Sequence, residues 1–229
     1  MFIQERFPVN VLPVEDTDEG RFYETPLGRL PSVTTVLDKH ADKSGLESWK
    51  EYIDKRDGEG TADGIVTQSS RHGNAVHKMA EDYLNNVEDW RNGHMPINIG
   101  SFLKIKGILD ANVKKVYGLE HAVYSGLLRT AGRVDIIADW NSYPTVLDLK
   151  TSRVHVRPDN PKLIKWQLQA TAYSMILEER YRRPFEQCII LTMIGNEIDP
   201  QLFIFNNEEY RDRVRKIFTT TKVTYAGMA

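Results

Sequence analysis

The stretch AGRVDIIADWNSYPTVLDLKTS, residues 131–152, decides the reading of this chain. It reads as two short strands, Arg133 to Ala138 and Thr145 to Lys150. Residues two apart on a strand share a face, so Asp148 and Lys150 project together. Pairing of the two strands brings Asp135 beside them. Two carboxylates and an ammonium at one strand end suit a divalent cation and an activated water. Those are the requirements of phosphodiester hydrolysis. The same three residues would also serve as an ion pair on a solvated sheet edge, so the surrounding elements have to decide.

Arg71 to Asn85 has a helical period, with Val76, Met79, Ala80, Tyr83 and Leu84 on one stripe and His77 at its flank. The run Leu163 to Leu177 is apolar nearly all round and implies a buried helix. Gln169 and Tyr173 are four apart and lie one turn above each other on it. A buried Gln needs a partner, either backbone or a functional group. The chain order is therefore a helix with His, a strand with Gly-x-x-Asp, a strand with Asp-x-Lys, and a helix with Gln-x-x-x-Tyr.

On these residues, His77, Gly132-Arg-Val-Asp135, Asp148-Leu-Lys150 and Gln169-Ala-Thr-Ala-Tyr173, the chain resembles the PD-(D/E)xK nuclease superfamily. Within it, the pattern is similar to the RecB-type exonuclease branch. The segment Arg21 to Leu37 is similar to the opening segment of the mitochondrial genome maintenance exonucleases and their phage relatives, as is Arg71-His-Gly-Asn-Ala-Val-His77. Asp148 stands where many members have Glu, and the family accepts either.

The resemblance implies an α/β fold with a restriction-endonuclease-like core, a mixed central β-sheet flanked by helices. It implies Asp135, Asp148 and the carbonyl of Leu149 as ligands of Mg²⁺, with Mn²⁺ able to substitute, and His77 completing a second metal position. It implies Lys150 as the residue that holds or deprotonates the attacking water, or offsets charge on the phosphate. Gln169, Tyr173, Ser32, Arg153 and Lys165 are candidate substrate contacts, and Glu120 a candidate outer ligand. Activity is expected on DNA, single-stranded or with free ends, in phage or bacterial replication, recombination or repair, alongside proteins of those processes. A nicking or structure-specific endonuclease and a nuclease-dead DNA-binding protein are the alternatives.

Composition narrows the field further. At 229 residues the chain is expected to form one domain, with residues 1–117 a mainly helical N-terminal layer and 118–229 the catalytic sheet and its flanking helices. Cys188 is the single cysteine, which excludes an intrachain disulfide and a four-cysteine iron–sulfur cluster. No Gly-x-x-x-x-Gly-Lys-Ser/Thr occurs, so no nucleotide cofactor is expected. No run approaches membrane-spanning length, and the acidic N-terminal residues Glu5, Glu15, Asp16, Asp18 and Glu19 argue against a transit peptide. A cytoplasmic protein, bacterial or in a phage-infected cell, is expected. The net charge of −2 is not that of a DNA-coating protein. Basic residues are local instead: Lys150, Arg153, Arg157, Lys162 and Lys165 follow one another along the chain with only Asp159 against them.

Residues 20 to 30 read as a hairpin turning at Pro26-Leu27-Gly28, followed by a helix with Ser32 as candidate N-cap. Leu46 to Arg56, Phe102 to Val116 and Glu208 to Thr220 read as helices. Glu120 to Leu128, Gln187 to Met193 and Gln201 to Phe205 read as strands. Residues 57–64 and 86–98 read as loops flanking the His77 helix, and Tyr23, Trp49 and Tyr52 as aromatics open to base stacking or core packing.

Overall fold

In the computed structural model, which describes residues 1–41, 44–195 and 199–220, the quoted stretch forms a hairpin. Its strands are β6 (Thr130–Trp140) and β7 (Tyr143–Ser152), closed by Asn141-Ser142. Both turn residues have positive φ, 50° and 73°, the geometry whose twist matches the flanking strands.

Around this hairpin the chain runs β1 (Ile3–Gln4), β2 (Val14–Thr17), β3 (Gly20–Thr25), β4 (Gly28–Pro31), α1 (Val33–Lys39), α2 (Ser44–Asp57), α3 (Thr61–Leu84), α4 (Pro96–Asn112) and β5 (Val113–Ser125). After β6 and β7 come α5 (Pro161–Tyr181), β8 (Gln187–Ile194), β9 (Gln201–Asn206) and α6 (Glu208–Thr220). The main sheet has the order β1-β5-β6-β7-β8-β9. β5, β6 and β7 are antiparallel neighbours, whereas β7 pairs with β8 in parallel. A parallel pair needs a crossover, and α5 is that crossover.

The sheet separates two apolar cores. One joins α1, α5 and α6 to Val134, Val146, Cys188 and Ile190. The other joins α3 and α4 to Ile136, Leu147, Leu149, Ile189 and Leu191. Alternation along β7 and β8 follows from burial on both faces. The strands β2, β3 and β4 form a separate antiparallel sheet, whose Tyr23 and Leu30 pack on Ala131 of β6. Among the described residues no helix is long and apolar enough to cross a membrane.

Several sequence expectations need correction. Residues 57–64 are not one loop: only Gly58, Glu59 and Gly60 lie between α2 and α3. Gly58 and Gly60 turn the chain with φ of 109° and 81°, and Asp54 Oδ1 accepts the Ala62 N–H at 2.8 Å to fasten the new helix. Pro96 is not in a loop but opens α4, where its missing N–H costs nothing. That helix ends at Asn112, and Val113 to Val116 belong to β5. Ahead of residue 117, α1 to α4 are joined by the three-stranded sheet that contains the expected hairpin. The hairpin at Pro26-Leu27 and the Ser32 cap are as the sequence reads.

Candidate active site

Asp148 and Lys150 lie on the α5 side of β7, as their spacing requires. Asp148 is 1% exposed. The Lys150 ammonium sits 2.5 Å from its Oδ2, yet neither carboxylate oxygen receives a hydrogen bond of good geometry. The β6–β7 ladder runs to the pair Ile136↔Leu147. Beyond that rung the side chain of Asp135 replaces the ladder, its Oδ2 accepting the Leu149 N–H at 2.8 Å.

A change of face places Asp135. Along a regular strand, residues two apart point the same way. Here Ile136 packs in the α3-side core and Val134 in the α5-side core. The partner strand does the same: Leu119 packs with the α3-side core, and His121 bonds Tyr181 of α5 at 2.8 Å. The rung between the pairs Leu119↔Ile136 and His121↔Val134 holds Glu120 and Asp135. Glu120 takes the turn in its own backbone, with φ of +43°, a conformation that costs a non-glycine residue on the order of 1 kcal/mol or more. A register shift lies just before it, at Val116 to Gly118. A Cβ on Gly118 would fall 2.9 Å from both His121 and Ile137.

His77 reaches this rung from α3. Its Nε2 lies 3.1 Å from the carbonyl of Leu149. When Nε2 carries the proton donated to that carbonyl, Nδ1 faces Glu120 and Asp135, 3.6 Å from a carboxylate oxygen of each. Gly73 of α3 faces Thr151 of β7, whose Oγ1 a Cβ there would meet at an ordinary contact of 3.4 Å. His72 points away, to Asn98 Oδ1 at 2.7 Å. Ligand atoms of His77, Glu120 and Asp135 all fall within 4.8 Å of one another. Glu120, only a candidate outer ligand in the sequence, therefore stands in the central group.

The electrostatics follow from burial and crowding. Burial opposes charging of His77, but Asp135 and Glu120 outweigh it and raise its pKa to about 9. Burial raises the pKa of Asp148 against the pull of Lys150, with Asp135 adding to the rise. Burial works against the Lys150 charge, yet Asp148 and Asp135 hold it above its ordinary value. The neighbouring carboxylates thus favour the charged form of Lys150.

Tyr173 and Gln169 are buried on α5, and the Tyr173 hydroxyl is bonded by Gln169 within reach of Asp135 and Asp148. Burial first, then those carboxylates, lifts the phenol well above its usual range. The glycine of Gly-x-x-Asp makes room for it: a Cβ on Gly132 would lie 2.7 Å from the Tyr173 ring and 2.9 Å from its hydroxyl. Ser32 is buried and spends its hydroxyl on the α1 cap, accepting from Thr35 N at 2.9 Å. Lys165 pairs with Asp38, and Arg153 is exposed. Sequence reasoning gave Arg133 no role and left Tyr23 between base stacking and core packing. Arg133 reaches to 4.0 Å from Glu120. The buried Tyr23 lies within electrostatic reach of Arg133 and Glu120. The signal for Arg133 was its place two residues before Asp135, inside the motif itself.

A sequence model described as the PD-(D/E)XK nuclease superfamily matches residues 22–226. The chain belongs to this superfamily. Mitochondrial genome maintenance exonuclease 1 of Mus musculus is 29% identical over 198 residues, 80% of this chain and 56% of that protein. The chain thus spans little more than half the length of that relative. A crystal structure of SSO0001 aligns with a TM-score of 0.31 and 14% identity over 66% of this chain and 72% of that one, too slight a likeness to carry an argument.

PD-(D/E)XK nucleases depend on divalent metal, and the residues present fit one. His77, Glu120 and Asp135 converge. Asp148 offers two buried oxygens without a hydrogen bond of good geometry, Oδ2 facing the Lys150 ammonium, and such a carboxylate is costly unless something further satisfies it.

Proposed function

We propose that this chain is a divalent-metal-dependent DNA exonuclease that hydrolyses phosphodiester bonds on single strands or at free ends, in cytoplasmic replication, recombination or repair. The observation that carries the proposal is the buried carboxylate of Asp148, bridged to Lys150 and set beside the His77, Glu120 and Asp135 group. Asp135, Asp148, His77, Glu120 and the Leu149 carbonyl would hold the cation. Oxygen donors with one imidazole suit Mg²⁺ and Mn²⁺. A cation bound there lowers the pKa of water and offsets charge on the phosphate.

The chain's own groups do the rest. Asp135 and Asp148 supply fixed negative charge, and Asp135 also ties β6 to β7 through the Leu149 N–H. The Lys150 ammonium donates toward the attacking water or a phosphate oxygen. Tyr173 and Gln169 line the α5 wall, Tyr173 with a phenol that stays protonated and so donates. Arg153 and Lys165 are proposed phosphate contacts, and Lys165 must leave Asp38 to make one.

Action on strand ends is supported by the shape of the N-terminal helices. α2 packs chiefly on α3, and its only buried residue is Ile53. α2 therefore lies outside both main cores, against the helix that carries His77. It presents Tyr52, 59% exposed, with Arg56 over its ring. An exposed aromatic with a guanidinium over it suits stacking on unpaired bases rather than an intact duplex. The test is digestion of end-labelled linear single-stranded DNA beside a circle of the same sequence, in Mg²⁺ and in Mn²⁺. Loss of the linear strand with survival of the circle is expected. Rapid cleavage of the circle would move the assignment to an endonuclease.

A further inference from the structure

We propose that Arg133 is a phosphate-gripping residue whose release is tied to the cation through Glu120. The inference rests on the nuclease reading of the site and adds a residue and a coupling to it. Arg133 and Asp135 flank Val134 on β6. The guanidinium is 49% exposed, at the mouth of a group whose other members are mostly covered. Its ion pair with Glu120 is loose at 4.0 Å. The fixed position of Glu120 follows from its left-handed backbone. The buried Tyr23 lies within electrostatic reach of both Arg133 and Glu120.

Glu120 faces two claimants, the imidazole side of the rung and Arg133. A cation among His77, Glu120 and Asp135 commits the Glu120 charge inward. Arg133 then loses its acid partner while remaining at the mouth, and a phosphodiester is the anion that would replace it. Guanidinium suits this exchange because its planar donors match two phosphate oxygens at once. Cation and DNA therefore bind cooperatively, and by linkage each strengthens the other equally.

The test is fluorescence anisotropy of a labelled single-stranded oligonucleotide in Ca²⁺ and in EDTA across a salt series, with melting temperature read alongside. Arg133→Gln should bind about tenfold more weakly in Ca²⁺, the loss of one charged hydrogen-bonding contact. Its slope of log affinity against log salt should fall by about 0.7, one phosphate's share on a single strand. In EDTA the variant should lose less, since Arg133 is then held by Glu120. Arg133→Lys should restore the slope while recovering only part of the affinity. An Arg133→Gln variant with wild-type affinity, or with weaker binding but an unchanged slope, overturns the assignment of Arg133. Wild-type protein that binds no DNA overturns the nuclease reading and this inference together.

Discussion

Lys150→Met should be the most destabilising single change at the site, and a second substitution should repair the fold without repairing activity. The ion pair is 2.5 Å long, with Asp148 2% and Lys150 18% exposed at the side chain. At an effective dielectric near 20, two charges at that distance attract by roughly 7 kcal/mol, most of which offsets desolvation. Removing Lys150 alone leaves a buried carboxylate that nothing else donates to, and such losses run at about 3–5 kcal/mol. Protonation of Asp148, toward which burial already pushes it, limits the loss. For a chain of this length the melting temperature should drop by roughly 6–20 °C. The double variant Asp148→Leu with Lys150→Met removes both charges and should return to within about 1 kcal/mol of the parent, or exceed it. Guanidinium denaturation of Lys150→Met, Asp148→Leu and the double variant in EDTA gives the three stabilities, and a nuclease assay in Mg²⁺ should find all three variants inactive. A double variant as unstable as the sum of the single changes would refute the coupling on which this reasoning stands.

Glu120→Gly should relieve the φ of +43° and leave stability equal or raised by about 1 kcal/mol, while titration calorimetry with Mn²⁺ shows weakened binding. Gly132→Ala should lower stability by about 1–3 kcal/mol through its collision with Tyr173; Tyr173→Leu in the same chain should recover part of it in thermal melts. His121 gives a pH signature. Burial, with Arg180 and Arg6 adding, lowers its pKa to about 4, below the unfolded value near 6.5. The unfolded chain takes up that proton first, so stability is full above pH 6.5 and declines as pH falls toward 4. The loss is at most about 3 kcal/mol, and His121→Gln should flatten that part of a stability–pH curve.

How much of this was legible beforehand differs from residue to residue. Asp148, Lys150 and His77 could be placed because period 2 on a strand and period 3.6 on a helix fix where side chains point. The covered faces of β7 and the helix around Gln169 were legible for the same reason. Glu120 was undervalued because its position depends on a backbone φ that strand alternation does not encode. Arg133 was passed over because its nearest acid partner lies on another strand. The loop expected over residues 57–64 failed because Gly and Asp weaken a helix without forbidding it, and the Asp54 to Ala62 hydrogen bond is invisible in composition. Gly132 was noted as part of a motif, but its reason, the Tyr173 ring lying against it, appears only when α5 is laid on the sheet.

The switch of faces at Glu120 and Asp135 has a mechanical side. Alternate residues of β6 change layer across this rung, with Val134 in one apolar core and Ile136 in the other. The two carboxylates therefore ride on a lever whose arms end in different apolar layers. Thickening one layer by a methylene, at Val134 for instance, would tilt the rung and alter the spacing of its oxygens, while the same change at Ile136 would tilt it the other way. On the proposed function, ion preference becomes adjustable from positions that never meet the ion, and paired core substitutions of opposite sense should cancel.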